Sequence, residues 1–326
     1  MRFGGRVSVV SIVGCFRGVV LFPRRRGPGG GPSYNDTVRH SMIHQALDWL
    51  HNASVQVDEV REDTYRLRIQ SRGAHLLGFE VNAFLVGAIL VDTGFAHVRD
   101  LVEFALAGAG IRAICCTHNH EDHTGNCAAL QAAHKCPVYL HHPEALWDEG
   151  VRKLKPYRRF WWGPVEPFEP EAMPPVVEAD GRRLTVVPTP GHSRTHVAFF
   201  EEATGDVYTG DLFVSPGATA VLIWENPWDS VASLRRVAAL RPPRMLTGHG
   251  LVVEDPAKLL ELKAKRIEDA ARRAVELTVE GVPPRAVVRR IFPKGAAKDR
   301  FFEWLTGKEF SRLNFVRAAV RHAPAR

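Results

Sequence analysis

Three histidines and one aspartate occupy six consecutive positions in "HNHEDH", residues 118 to 123. Alternate residues of an extended segment project to the same side, so His118 and His120 are predicted to share one metal ion. Asp122 and His123 follow where the chain turns into the next predicted helix, which can direct them at a second ion. Neutral imidazole and carboxylate ligands of this kind suit Zn²⁺. The segment therefore predicts part of a zinc site with two ions.

Three further candidate ligands lie at the ends of predicted strands, each beside a glycine. His192 is in "TPGHS", Asp211 is in "TGDL" and His249 is in "TGHG". A single histidine or aspartate beside a glycine usually belongs to an ordinary turn. Together with the first four residues, however, these three supply enough ligands for two ions, and the two oxygens of Asp211 can bridge them. The sequence predicts that these loops meet at one rim of the fold.

The segments that must position these ligands alternate between strand and helix patterns. Short apolar runs that end in polar or glycine-containing turns indicate strands, and runs with apolar residues at helical spacing indicate helices. Hairpins are mixed with strand–helix units, which favours sheets covered by helices over a purely parallel, doubly wound sheet. A helix is also predicted for "HSMIHQALDWLHNA", residues 40 to 53. From Pro256 onward the pattern is helical, with an apolar stripe from Leu260 to Ala274.

Charge and composition divide the chain into three predicted regions. Residues 1–41 are predicted to be a disordered N-terminal extension, with a transit peptide as the alternative. Residues 42–255 form the predicted catalytic domain, and residues 256–326 form a helical C-terminal region. The net charge is +6 for residues 1–40, −6 for 41–251 and +7 for 252–326, so the segment with the histidines is acidic. This distribution argues against a nucleic-acid protein as a whole while leaving a basic C-terminal surface open.

The compartment is predicted from cysteine usage and hydropathy. Five cysteines without a Cys-x-x-Cys spacing indicate buried, reduced thiols, and a cytoplasmic location is expected. No apolar run reaches the roughly 20 residues of a membrane span, so no membrane association is expected. The cysteines are Cys15, Cys115, Cys116, Cys127 and Cys136.

Five motifs in order, "VDTG", "THNHEDH", "TPGHS", "TGDL" and "TGHG", resemble the metallo-β-lactamase superfamily of hydrolases over roughly residues 60–255. The resemblance implies an α/β fold, the four-layer αβ/βα sandwich, here with a C-terminal helical extension. It implies that one zinc is held by His118, His120 and His192, and that a second is held by Asp122, His123 and His249, with Asp211 bridging. Asp92 of "VDTG" would support the metal loop without binding metal.

The expected reaction is hydrolysis by a hydroxide shared between two zinc ions, oriented by Asp122 as the catalytic residue. The expected substrate is a small-molecule ester, thioester or lactone. "TGHGLVV" and "GDLFVSPG" depart from glyoxalase II enzymes, which puts a glutathione thioester in doubt. A di-metal redox or binding module is the alternative from another class of function.

A single-strand-specific endoribonuclease is the runner-up, because that branch of the superfamily resembles this chain in "TPGHSRTH", in "TGHG" and in the helical C-terminal region. Basic residues of the tail could follow phosphates, although a solvated helix face is the simpler interpretation. These residues are Lys263, Lys265, Arg266, Arg272, Arg273, Arg289 and Arg290.

Two features allow alternative interpretations. "PYRRFWWGP", residues 156–164, either forms a lid over the substrate or packs over the core. His196 either supports the metal loop or is an ordinary strand histidine.

Overall fold

Alternation of apolar and polar residues in "TYRLRIQS" buries one face of a strand in the first sheet. The computed structural model describes residues 10–13, 53–76, 79–145, 154–217 and 219–325. Leu67 and Ile69 are fully buried. Arg66, which precedes Leu67, and Arg68, which lies between the two, are partly exposed. The sheet has eight strands in chain order: β1 (Val10–Val13), β2 (Ala53–Arg61), β3 (Thr64–Ser71), β4 (Val81–Val86), β5 (Ile89–Val91), β6 (Ala113–Cys115), β7 (Val138–Leu140) and β8 (Pro170–Ala172).

The first sheet changes direction at β5. Strands β1 to β5 pair antiparallel, whereas β5 to β8 pair parallel. Parallel neighbours require crossover connections, which here carry helices. The helices of this half are α1 (Arg72–Leu76), α2 (Arg99–Leu106), α3 (Glu121–Thr124), α4 (Cys127–His134) and α5 (Pro156–Trp162).

Helices α2 and α4 cover the outer face of the first sheet. Val102 and Leu106 of α2 and Leu130 of α4 are fully buried and belong to one apolar cluster with Leu67 and Ile69 of β3. Burial of such side chains contributes about 1.5–3 kcal/mol each. This cluster fixes the helices whose preceding loops carry the candidate ligands.

The second sheet packs face to face on the first. Phe84 of β4 contacts Tyr208 at 5.3 Å between ring centroids, and both belong to the apolar cluster that lies between the sheets. The strands of this half are β9 (Val176–Ala179), β10 (Arg182–Pro188), β11 (Val197–Glu201), β12 (Val207–Tyr208), β13 (Val221–Leu222), β14 (Arg244–Leu246) and β15 (Val252–Glu254). Their order in the second sheet is β15-β14-β12-β11-β10-β9, with β13 outside it.

Helices cover the outer face of the second sheet and continue into the C-terminal region. The helix α6 (Pro227–Ala239) packs on this sheet through Leu234 and Val237, and Leu260 belongs to the same cluster. The remaining elements are α7 (Ala257–Val279), α8 (Pro284–Ile291), α9 (Ala296–Leu305), β16 (Phe310–Ser311) and α10 (Arg312–Arg321), and β16 pairs antiparallel with β13. Their own apolar cluster includes Leu277, Val287 and Phe315.

The predicted fold is confirmed: helices, sheet, sheet and helices form an αβ/βα sandwich with helices at the C-terminus. Strand β1 lies within the N-terminal extension for which disorder is predicted, and it pairs with β2. The rest of residues 1–41 and the first thirteen residues of the helix predicted at 40–53 lie outside the described residues, and residue 53 belongs to β2. Cys115, Cys116, Cys127 and Cys136 are buried and free, as predicted, and Cys15 lies outside the described part.

Candidate metal centre

The seven predicted ligands lie on four segments at one rim of the two sheets. His118 and His120 follow β6, while Asp122 and His123 are in α3. The other three lie at strand ends of the second sheet: His192 between β10 and β11, Asp211 after β12, and His249 between β14 and β15. Each loop begins where a buried strand ends, so the sheets place the loops side by side.

The first group consists of His118, His120, His192 and Asp211, whose ligand atoms all lie within 4.8 Å of one another. Nδ1 of His120 is 2.9 Å from Nε2 of His118 and 3.0 Å from Nε2 of His192. The Oδ2 atom of Asp211 is 3.3 Å from Nε2 of His192. Three imidazole nitrogens and a carboxylate oxygen thus surround one point.

The second group consists of Asp122, His123 and His249, with ligand atoms also within 4.8 Å of one another. Asp122 Oδ2 lies 3.8 Å from His123 Nε2 and 3.7 Å from His249 Nε2. Asp211 Oδ1 lies 3.2 Å and 3.1 Å from the same two nitrogens. One oxygen of Asp211 therefore faces the second group while its other oxygen reaches His192 of the first, which is the position of a bridging carboxylate.

Polar contacts hold Nδ1 of His118, His192 and His249 outward and leave Nε2 for the centre. His120 differs, because its Nδ1 faces the centre. Nδ1 of His249 donates to the carbonyl of Glu80 at 2.8 Å, and Nδ1 of His118 lies 3.0 Å from Oγ1 of Thr117. Nδ1 of His192 lies 3.4 Å from Oε1 of Glu225. A proton held at Nδ1 leaves a lone pair on Nε2, the form in which imidazole binds a metal.

Asp92 contacts both Thr117, which directly precedes His118, and the candidate ligand His123. Its Oδ2 lies 2.8 Å from Nδ1 of His123, and its Oδ1 accepts the backbone N–H of Thr117 at 2.7 Å. Its backbone has a φ of 59°, a left-handed conformation that aspartate tolerates better than most residues. A carboxylate that holds the far nitrogen of a histidine orients the ring and makes it a better ligand.

Two buried polar atoms at the centre have no hydrogen-bond partner. These are Nε2 of His123 and Oδ1 of Asp211, which lie 3.2 Å apart without hydrogen-bond geometry. Leaving such atoms unsatisfied costs about 1–3 kcal/mol each. A divalent cation bound between them would satisfy both, so the donor set fits metal ions.

The charge balance differs between the two groups. Burial lowers the pKa of His118 and of His120 well below the usual value, and neighbouring histidines add to the effect, so both imidazoles are neutral. Burial also opposes protonation of His249, but Asp211 and Asp122 outweigh it and raise its pKa to about 9. The carboxylates thus favour a positive charge at the second group, and metal binding there must displace protons.

His196 supports the metal loop, the first of its two predicted interpretations. It is fully buried, and its Nδ1 lies 2.8 Å from Oγ1 of Thr189. Its Nε2 accepts the backbone N–H of Asp211 at 3.1 Å. Burial and the neighbouring His192 lower the pKa of His196 to about 3, which keeps Nε2 free to accept this bond.

The glycine of "TGDL" permits the close approach of the Asp211 loop. Gly210 has a φ of 45°, and a Cβ there would lie 2.6 Å from Oγ1 of Thr117 and 3.0 Å from Nε2 of His196. Any larger residue would push the loop away from the hydrogen bonds that hold His118 and Asp211.

The aromatic and basic segment at α5 has a role that neither sequence interpretation contained. Arg158 is only 6% exposed, and its Nε and Nη2 donate to Glu121 of α3 at 2.5 and 2.7 Å. Its Nη1 donates to Glu309, just before β16, at 3.1 Å. The ion cluster formed by Arg158, Glu121 and Glu309 therefore ties α5 and the C-terminal region to the residue beside Asp122. Trp162 also packs on Phe95 at 5.2 Å, as the packing interpretation expects.

Sequence reasoning missed the residues that hold the ligands by their far nitrogens. Thr117, Glu80 and Glu225 contact His118, His249 and His192, respectively. Only Thr117 carries a local signal, because it directly precedes the first histidine in "THNHEDH". Glu80 acts through its backbone carbonyl, so its side-chain type gives no clue.

Two sheets packed face to face, with two groups of candidate ligands on the loops of one rim, define an αβ/βα sandwich with a candidate di-metal centre. A family model described as the metallo-beta-lactamase superfamily matches residues 76–249, more than half of the chain. The chain therefore belongs to the metallo-beta-lactamase superfamily.

Curated relatives share between about a quarter and a third of their residues with this chain. A beta-lactamase-like protein 2 homolog of Caenorhabditis elegans is 28% identical over 209 residues, 60% of this chain and 63% of the relative. An atrochrysone carboxyl ACP thioesterase of Aspergillus fumigatus is 30% identical over 202 residues, 58% of this chain and 42% of the relative. A hydroxyacylglutathione hydrolase of Alkalilimnicola ehrlichii is 34% identical over 165 residues, 50% of this chain and 56% of the relative. The chain thus spans 42% to 63% of the length of these relatives.

Solved structures share the fold. A metallo-beta-lactamase family protein of Thermus thermophilus has a TM-score of 0.60 and 21% identity, and the match covers 80% of this chain and 93% of that one. A beta-lactamase domain protein of Burkholderia ambifaria has a TM-score of 0.57 and 18% identity, with 81% and 86% covered. Among the described residues, no helix combines the length and apolar character needed to cross a membrane.

Proposed function

We propose that this protein is a binuclear zinc hydrolase that cleaves an ester, thioester or lactone bond of a small molecule. The observation that carries the proposal is the convergence of seven candidate ligands in two groups, four of them buried and three half-buried, with Asp211 between the groups. In this proposal His118, His120 and His192 bind one zinc, and Asp122, His123 and His249 bind the other. Asp211 binds both.

Zinc ions bound there would supply a Lewis acid and lower the pKa of a bound water toward neutrality. The chain supplies the positions and the proton acceptor. Asp122 lies at the edge of the second group, where its Oδ atoms can orient the attacking water and accept its proton. His123 is kept in one orientation by Asp92, and His196 holds the backbone of Asp211. These contacts fix the ligand set before substrate binds.

The choice of ester or thioester follows from the relatives. One relative is named a thioesterase and another a hydroxyacylglutathione hydrolase. No serine or cysteine nucleophile is needed, and the four described cysteines are buried. Burial raises the pKa of the Cys115 thiol well above its usual value, which removes its nucleophilic form.

RNA cleavage stays the alternative, and the basic residues proposed for it give it little support. Lys265 pairs with Asp269 at 2.8 Å, Arg272 with Glu268 at 2.6 Å, and Arg273 with Glu276 at 3.0 Å on the surface of α7. Such pairs at helical spacing are typical of a solvated helix face. We therefore favour small-molecule hydrolysis, in the cytoplasm as predicted from the sequence.

A turnover panel with zinc-loaded protein tests the proposal. The panel contains an acetyl thioester, a lactone, p-nitrophenyl acetate, bis(p-nitrophenyl) phosphate and single-stranded RNA, and zinc per chain is measured by atomic emission. We expect about two zinc ions per chain and turnover of one or more acyl substrates. Turnover of RNA alone would support the runner-up. Bound iron with redox activity and no hydrolysis would refute the proposal in favour of a redox module.

A further inference from the structure

A cavity of about 300 Å³ lies beside the candidate metal centre and extends between the catalytic domain and the C-terminal helices. His120, Asp122, His192, Asp211 and His249 line its end at the centre. The opposite part of its wall is apolar and comes from β13, α7, the turn after α8, α9, β16 and α10. Its side chains include Leu222, Ile267, Phe292, Phe302, Phe310 and Phe315.

Polar groups on the cavity wall are engaged with other parts of the protein. Arg158 binds Glu121 and Glu309, and Glu225 lies against His192. Lys263 donates to the backbone carbonyl of Ser215 at 2.9 Å. These groups are therefore committed to the fold, whereas Arg266 is a further charged residue on the wall. Away from the metal centre the wall otherwise offers mainly hydrocarbon and aromatic surface.

The walls of the cavity are firmly built. Leu222 of β13 pairs with Phe310 of β16, and Phe315 is only 3% exposed. Phe315 also contacts Phe292 at 5.5 Å between ring centroids, edge to face. Ala270 is a small residue on the α7 wall, so a larger side chain there would occupy the space that the cavity provides.

We propose that this cavity binds the acyl chain of the substrate, which makes the protein a hydrolase of medium- or long-chain acyl thioesters or esters. This inference rests on the proposed function. An apolar pocket with polar groups gathered at one end positions a ligand by its reactive group and holds it by its tail. With the acyl carbonyl at the metal centre, the alkyl chain lies along Ile267 and Phe302.

The reaction on such a substrate is a hydrolysis that needs only water. The water oxygen forms a bond to the carbonyl carbon, and the bond from that carbon to sulfur breaks. One proton of the water goes to the leaving sulfur by way of Asp122, so the products are a carboxylic acid and a thiol. Tail binding raises kcat/KM because the buried methylenes contribute to transition-state binding as well as to substrate binding.

Chain-length dependence tests the inference. Zinc-loaded protein is assayed with acetyl, butanoyl, octanoyl and decanoyl thioesters of N-acetylcysteamine. We expect kcat/KM to rise by about fourfold per methylene until the cavity is filled. Ala270→Phe should abolish this rise. Ala257→Phe, on the same helix but outside the cavity wall, is the matched control and should keep the rise.

Binding of decanoate, measured by calorimetry with and without zinc, gives a readout that does not depend on turnover. We expect wild type to bind decanoate at least tenfold more tightly than Ala270→Phe. Thermal melting curves confirm that the variant is folded. Equal turnover of acetyl and decanoyl thioesters, together with Ala270-independent binding, would overturn the inference while leaving the hydrolase proposal intact. Absence of turnover for every acyl substrate would refute the hydrolase proposal, whereas Ala270-dependent decanoate binding would still support the cavity as an acyl site.

Discussion

Replacement of Arg158 with methionine removes the only cation that contacts Glu121 among the described residues. The Arg158 side chain is 7% exposed and that of Glu121 is 1% exposed, so water cannot replace the lost partner. Glu309 keeps Lys155, whose Nζ lies 3.4 Å from its Oε2. Methionine preserves much of the length of the arginine stem, which limits the loss of packing. The perturbation is thus mainly the loss of charge beside Glu121.

The magnitude follows from the burial of the pair. Removing one partner from a buried ion pair costs about 3–5 kcal/mol, because the remaining charge is left without a partner. For a chain of this size that corresponds to a drop in Tm of about 10 °C. The double variant Arg158→Met with Glu121→Gln removes both charges, and we expect it to recover more than half of the loss.

The pH dependence has a definite sign. Burial raises the pKa of Glu121, and Arg158 works against that increase. Without Arg158 the pKa of Glu121 rises further, so the folded variant takes up a proton that the unfolded chain releases. The stability of Arg158→Met is then retained below the pKa that Glu121 has in the unfolded chain. It is lost as the pH rises through the pKa that Glu121 has in the folded variant. We expect the penalty of Arg158→Met to be smaller at pH 5 than at pH 8.

The assay is thermal and urea unfolding of four proteins at both pH values: wild type, Arg158→Met, the double variant and Arg159→Met. Arg159 is exposed on the same helix and provides the matched control. Zinc content is measured in parallel, since Glu121 is the neighbour of Asp122. If Arg158→Met melted within 1–2 °C of Arg159→Met at both pH values, the reasoning on the buried ion cluster would be refuted.

Three further predictions concern other parts of the protein. Asp211→Ala should reduce bound zinc to one ion or fewer per chain and abolish hydrolysis, and full activity with unchanged zinc by atomic emission would contradict a bridging role. Asp92→Asn should weaken zinc affinity about 10–100-fold in a competitive chelator titration, and unchanged affinity would mean that the contact with His123 does not matter. Burial lowers the pKa of Lys263 to about 8, so folding releases its proton and wild-type stability rises between that pH and the unfolded pKa. Lys263→Met should flatten this rise and stabilise the fold by about 1–3 kcal/mol at pH 7, as measured by urea unfolding. If the stability of the variant changed with pH as steeply as that of wild type, the role assigned to Lys263 would be wrong.

The ligand positions could be predicted because their signals are local. His118 and His120 are separated by one residue, and Asp211 and His249 directly follow a glycine at the end of a strand. The strands are short apolar runs whose ends can be located from the sequence, so their loops are placed together as soon as the sheets form. The sandwich could be predicted for the same reason, from strand and helix patterns that recur along the chain together with the motif order.

The contacts between distant segments could not be predicted. Arg158 meets Glu121 across 37 positions and Glu309 across 151 positions. No spacing rule links residues so far apart, and an arginine in an aromatic segment is equally consistent with a lid or with packing. The acyl cavity has the same origin, since its walls come from segments far apart in the sequence, including α5, β13, α7, α9 and α10, and exist only after these elements pack.

The features that could be predicted from the sequence concern the candidate metal centre. The features that could not be predicted concern the cavity proposed to select the substrate. The superfamily match ends at residue 249, with His249 as its last candidate ligand. The elements α7, α9, β16 and α10, which contribute Ile267, Phe302, Phe310 and Phe315 to the cavity wall, begin at Ala257. The Arg158 ion cluster joins the two parts, because one arginine contacts both the residue beside Asp122 and the residue before β16. We therefore propose that relatives with the same ligand motifs share the hydrolytic chemistry and differ in substrate, and that the C-terminal helices contribute to the choice of substrate in this chain.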